Sequence, residues 1–108
     1  MINKAEILDR YLPLGSIVLI RGNVKKLMIV ARGVITGKEP NRKVFDYGAV
    51  LYPEGMMDDR IIFFNQKDIF QVVVEGYTDS DDQIMNENIR NWLKEVNEHG
   101  DNRQRSNS

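Results

Sequence analysis

A chain of 108 residues without cysteine excludes disulfides, a thiolate nucleophile and cysteine metal sites, and at this length residues 1–100 are expected to form a single domain. Fifteen basic and sixteen acidic side chains leave a formal net charge of -1, which argues against a nucleic-acid binder with a strong global field. Residues 1–10 place Lys4, Glu6 and Asp9 among their apolar positions, which is no signal peptide, and no apolar run approaches the roughly 18 residues that span a bilayer; the expectation is a cytoplasmic protein that does not insert into membranes.

In chain order, Ile7, Leu8, Tyr11 and Leu12 fall at near-helical spacing, so the pattern predicts a short N-terminal helix over residues 5–12, stopped by Pro13 and Gly15. Residues 16–21 (SIVLIR) are a β-branched apolar run that Gly22 and Asn23 end in a turn. Residues 26–36 (KLMIVARGVIT) read as a second strand forming a hairpin with the first. Gly33 inside it marks a bulge or bend. A polar loop (GKEPNRK) leads to a third strand over residues 44–52, ended by Pro53, Glu54 and Gly55. Residues 60–64 and 70–76 read as fourth and fifth strands, with one helical or tight turn at residues 65–68. Five short strands with short connections predict an α+β fold built on a small antiparallel SH3-like barrel, or a strongly bent sheet, with a strand core over residues 16–76.

The last element is an amphipathic helix over about residues 80–98. Residues 78–82 (TDSDD) supply N-cap candidates and put acids at the positive end of the helix dipole, and Ser80 with Gln83 has capping-box spacing. Ile84, Met85, Ile89, Trp92, Leu93 and Val96 recur mostly at spacings of three and four, giving one apolar face. Gly100 is a candidate to end the helix, and residues 101–108 contain no apolar side chain and are expected to be a disordered tail.

No constellation for chemistry emerges, so no catalytic residue, metal or cofactor is expected. The single histidine, His99, sits near the end of the last helix, where it reads as a solvated residue or a cation at the negative end of the dipole. Asp79, Asp81 and Asp82 lack the spaced ligands, central glycine and closing glutamate of a calcium loop. Asp58 and Asp59 are loop acids that can pair with Arg60 or face water. The glycines form neither a phosphate loop nor a dinucleotide fingerprint.

What remains is surface that could bind. Tyr52, Glu54, Met56, Met57 and Arg60 form a loop with two adjacent methionines, adaptable apolar groups that either face outward or fold back on the sheet. Trp92, the only tryptophan, is either core or an anchor for a partner. Arg21, Lys25, Lys26, Lys38, Arg42 and Lys43 make residues 21–43 strongly basic, the one stretch that could hold nucleic acid, although net charge disfavours that use.

Several strings, taken in order, carry a resemblance: Leu12-Pro13-Leu14-Gly15-Ser16, then Phe45-Asp46-Tyr47 with Leu51-Tyr52-Pro53-Glu54-Gly55, then Phe63-Phe64-Asn65 and Glu75-Gly76-Tyr77. Over about residues 11–77 the chain resembles a family of small uncharacterised proteins of Gram-positive bacteria that accompany LXG toxins of type VII secretion. The resemblance implies a non-enzymatic chaperone or targeting adaptor whose partners are an LXG-domain toxin and its small helical companions. An immunity protein for a toxin and a nucleic-acid-binding barrel are the other readings. A homodimer through an exposed β edge or the Trp92 face is compatible with either.

Overall fold

Two long strands form the spine of the domain, and a one-residue irregularity in the first decides what lies inside. The computed structural model describes residues 10–107, with side chains as far as Val96. Its elements are β1 (Ile17–Ile20), β2 (Lys26–Thr36), β3 (Lys43–Tyr52), β4 (Ile62–Phe64), a 3-10 turn (Gln66–Asp68), β5 (Ile69–Val74) and α1 (Ser80–Asn107). All strand pairs are antiparallel and the sheet order is β4-β3-β2-β1-β5. The α+β class, the strands and the single turn before β5 agree with the sequence pattern. The barrel does not close, because β4 and β5 are separate edges with no pairing between them among the described residues.

In β2, Ile29 faces Ala49 but Ala31 faces Gly48, so Val30 is an extra residue. Strict alternation from Leu27 and Ile29 would put residue 31 inside and residue 32 outside. The bulge reverses that parity and turns Arg32 onto the core face, opposite Tyr47. Arg32 is then nearly buried and donates to Asp82 Oδ1 at 2.7 Å, which ties the sheet to the first turn of α1. The sequence pattern placed the bend at Gly33. That residue instead takes a left-handed conformation (φ 61°) where α1 crosses, and a Cβ there would lie 3.3 Å from Ile89 and from the Trp92 ring.

Two more extra residues lie in edge strand β5. Its register against β1 runs Ile20↔Ile69, Leu19↔Gln71, Val18↔Val72 and Ile17↔Val74, which leaves Phe70 and Val73 unpaired and pointing to solvent.

The core joins Val18, Leu27, Ile29, Tyr47, Ala49, Phe64, Ile69 and Val72 of the sheet to Ile89 and Leu93 of α1. Between helix and sheet runs an extended strap, residues 10–13, and here the structure departs from the expected N-terminal helix. Residues 10–12 are not helical, and the rest of that expected helix lies outside the described residues. The reason is where the strap's backbone bonds go. Asn86 accepts from the Tyr11 amide at 3.1 Å and donates to the Tyr11 carbonyl. The Leu12 amide donates to the Tyr47 hydroxyl at 2.9 Å, and its carbonyl accepts from Arg32 at 3.5 Å. Buried backbone groups need partners, and these come from side chains of α1, β3 and β2 in place of an i→i−4 ladder. Leu12 and Pro13 are thereby buried completely.

The strap turns into β1 through Gly15. Ser16, fully buried, donates from Oγ to the Pro13 carbonyl at 2.7 Å and accepts from the Gly76 amide at 2.9 Å. Gly76 passes so close that a Cβ would sit 2.3 Å from the Leu14 carbonyl oxygen. The strings around Gly15-Ser16 and Gly76 thus form one backbone junction.

The helix is capped one residue earlier than the Ser80–Gln83 spacing predicts. Asp79 accepts from the Asp82 amide at 3.0 Å, and the Gln83 amide donates to the Asp79 carbonyl. At the other end α1 runs through Gly100 to Asn107. His99 lies beyond the described side chains.

Two outcomes test this core. Gly76→Ala should lower stability in urea unfolding by at least about 3 kcal/mol, since the added carbon meets rigid backbone. Burial raises the phenol pKa of Tyr11 above its ordinary 10, and the Asp46 carboxylate that accepts its hydroxyl at 3.0 Å raises it further; burial raises that of Tyr47 likewise. The folded protein therefore holds these protons more tightly than the unfolded chain. Their contribution is present below about pH 10 and lost as pH rises above it. The urea midpoint should fall between about pH 9 and about pH 11, and fall less in Tyr11→Phe.

Candidate protein-binding surface

The sheet ends in a tip where two connections meet, the β1–β2 turn and the loop after β3. Lys26 pairs across the ladder with Tyr52, and the Gly55 amide donates to the Leu51 carbonyl at 2.7 Å, folding residues 51–55 into a tight turn. Lys25 Nζ lies 2.6 Å from Glu54 Oε2, which fastens the two connections together. Arg60 is held to Asp58 at 2.9 Å, with its own amide also donating to that carboxylate. Hydrogen bonding from Lys25 holds the Glu54 carboxyl below its ordinary pKa, and hydrogen bonding from Arg60 does the same for Asp58.

On this fastened frame the apolar side chains point away from the core. Met57 is 79 % exposed, Met56 58 % and Val24 96 %, with Tyr52 beside them also exposed. Of the residues expected to meet a partner, Tyr52, Glu54, Met56, Met57 and Arg60 therefore gather at one end. The methionines do not fold back. Trp92 is not part of this group. Its indole rests against Gly33, seven residues along β2 from Lys26, or up to about 23 Å away at ~3.3 Å per residue. Val24 and Lys25 join the site only in three dimensions. The signal in the sequence was a valine in a turn otherwise made of glycine, asparagine and lysine.

The basic segment does not form one surface. Arg21, Lys25 and Lys26 lie at one end of the eleven-residue β2, and Lys38, Arg42 and Lys43 lie at the other. Glu54 neutralises Lys25, Glu39 lies 3.5 Å from Arg42, and Arg32 between them is buried against Asp82. Of the three aromatics in and at the end of β3, Tyr47 is core, Phe45 is half-buried against Phe63 with ring centroids 5.6 Å apart, and only Tyr52 is exposed. Tyr52, paired with Lys26, stands beside the first of these clusters.

A cleft of about 770 Å³ lies between α1, the strap and the exit of β5. Arg10 and Glu75 form an ion pair there, and Arg90, Lys94, Glu87 and Asp82 also line it. Its charges alternate in sign, so it focuses no field on an ion of either charge. Among the described residues no three side chains group as a metal site, and no helix is long and apolar enough to cross a membrane.

Fold and surface together define an α+β domain in which an open antiparallel sheet, a strap and one helix enclose a core and present an exposed apolar tip. The chain belongs to the family described as a domain of unknown function (DUF4176), which matches residues 11–85, from the strap to the second turn of α1. No curated protein and no solved structure matches it.

Because Val24, Met56 and Met57 stand clear of the core, polar substitutions there should leave the fold intact. Met57→Asp and Val24→Asp should each keep the urea midpoint free energy within about 0.5 kcal/mol of the parent, which makes them clean probes of binding.

Proposed function

We propose that the protein is a non-enzymatic accessory factor of type VII secretion that acts in the cytoplasm as a chaperone or targeting adaptor for an LXG-type toxin or its small helical partners. The observation that carries the reading is the tip: two methionines and a valine held out from a frame fixed by ion pairs and a tight turn. Unbranched, polarisable methionines suit the capture of an apolar partner surface, and exposed apolar groups at a rigid end serve binding at little ordering cost. The toxin assignment draws its support from the resemblance of the strings around Gly15, Tyr47, Pro53 and Gly76. The order in which β1 joins β5 and β2, with a turn between β4 and β5, supports a half-open SH3-like arrangement beneath that surface.

Co-expression with an LXG-domain toxin, cut into its N-terminal targeting region and its C-terminal toxic domain, tests the proposal. The N-terminal region should co-purify, and Met56→Asp with Met57→Asp should weaken capture at least about tenfold, or ~1.4 kcal/mol. Capture by the toxic domain alone would make the protein an immunity factor. Capture indifferent to both methionines, or secretion that persists after deletion, would overturn the adaptor reading.

A further inference from the structure

Helix α1 has a second face that the core does not use. At about 100° per residue, Ile89 and Leu93 point to the sheet, while Arg90 and Lys94 lie on the flank that lines the polar cleft. The opposite flank carries Asp81, Ile84, Met85, Asn88, Trp92 and Glu95, all exposed and without a cation among them. Ile84 is 60 % exposed, Met85 50 % and Trp92 39 %. Where this flank meets β2, the missing side chain of Gly33 leaves a shallow groove of about 260 Å³ bordered by Met85, Ile89 and Trp92. Arg32 lies at its margin with its charge already met by Asp82.

We infer that this flank docks an amphipathic helix from another protein, one whose apolar stripe is bracketed by lysine or arginine. Charge chooses the occupant. Asp81 and Glu95 stand at the two ends of the apolar stretch, about 21 Å apart along the helix at 1.5 Å per residue. A second copy of the chain does not fit. Antiparallel pairing about Asn88 sets Ile84 against Trp92 but Asp81 against Glu95, and parallel pairing sets each acid against itself. A helix with cations at that separation satisfies both acids and lays apolar side chains on Ile84 and Met85 and into the groove beside Trp92. The inference rests on the reading of the protein as a binding module but uses a surface separate from the tip, so one adaptor can hold two partners.

The test uses the full chain and its single tryptophan, Trp92, as reporter. Two synthetic amphipathic peptides of about 21 residues share one apolar stripe and differ only in carrying lysine or glutamate at its ends. Titration of the lysine peptide at low salt should shift Trp92 emission to the blue, with at least tenfold weaker binding of the glutamate peptide. Asp81→Lys combined with Glu95→Lys should reverse that preference, and Ile84→Asp, far from the core, should weaken both. Met56→Asp should change neither. Equal affinity for the two peptides, an unmoved emission, an unchanged preference in the double variant, or a concentration-dependent dimer that covers Trp92 would each overturn the inference. Loss of toxin capture with peptide binding intact would overturn only the adaptor reading.

Discussion

The structure depends on how four backbone groups are satisfied. Residues 11 and 12 lie between sheet and helix with no ladder of their own, and buried amides and carbonyls without partners cost about 1–3 kcal/mol each. Asn86, Tyr47 and Arg32 supply the partners from three different elements. Each therefore joins an element to the strap as well as to its own neighbours. The Arg32–Asp82 pair adds a direct bond from β2 to α1. Sheet and helix share few apolar contacts beyond Ile89 and Leu93, so this polar lattice, wedged around Leu12, fixes the pose of the helix. That pose in turn determines which flank of α1 is left facing water.

The irregular positions serve that arrangement. The Val30 bulge supplies Arg32 to the interior, and Gly33 lets the helix approach the strand that carries it. The two bulges of β5 act differently. An edge of six residues with phenylalanine and valines is a ready template for pairing with another chain. Extra residues at Phe70 and Val73 break its regular spacing and blunt that tendency.

Much of this was legible in the sequence, and the reasons for the rest are physical. β2 read correctly because a long β-branched run leaves few other options, and the start of α1 was announced by its acids and its spacing of three and four. The helical spacing of Ile7, Leu8, Tyr11 and Leu12 predicts a helix, while the groups that draw residues 10–12 out of one sit as far away as position 86. Arg32 looked like one more cation of a basic segment. A bulge of one residue changes its face, and no local pattern distinguishes Val30 from its neighbours. The tip was half visible: Met56 and Met57 stood out as a pair, whereas Val24 joins them only through the Lys25–Glu54 contact. Trp92 is both core and surface, its ring packed on Gly33 and 39 % of it exposed.

The pairing of β1 with β5 has a consequence for how the chain acquires its fold. Ile20 meets Ile69 and Tyr11 meets its bonding partner, Asn86, on α1, so early residues wait for late ones. The β2–β3 ribbon is local and can form by itself, but closure of β1 on β5 spans a long loop, which slows folding. A chain emerging from the ribosome at about 5–20 residues per second exposes Leu12, Val18 and Ile29 for several seconds before residue 86 appears. During that interval the Asn86 bonds that hold Tyr11 cannot yet form.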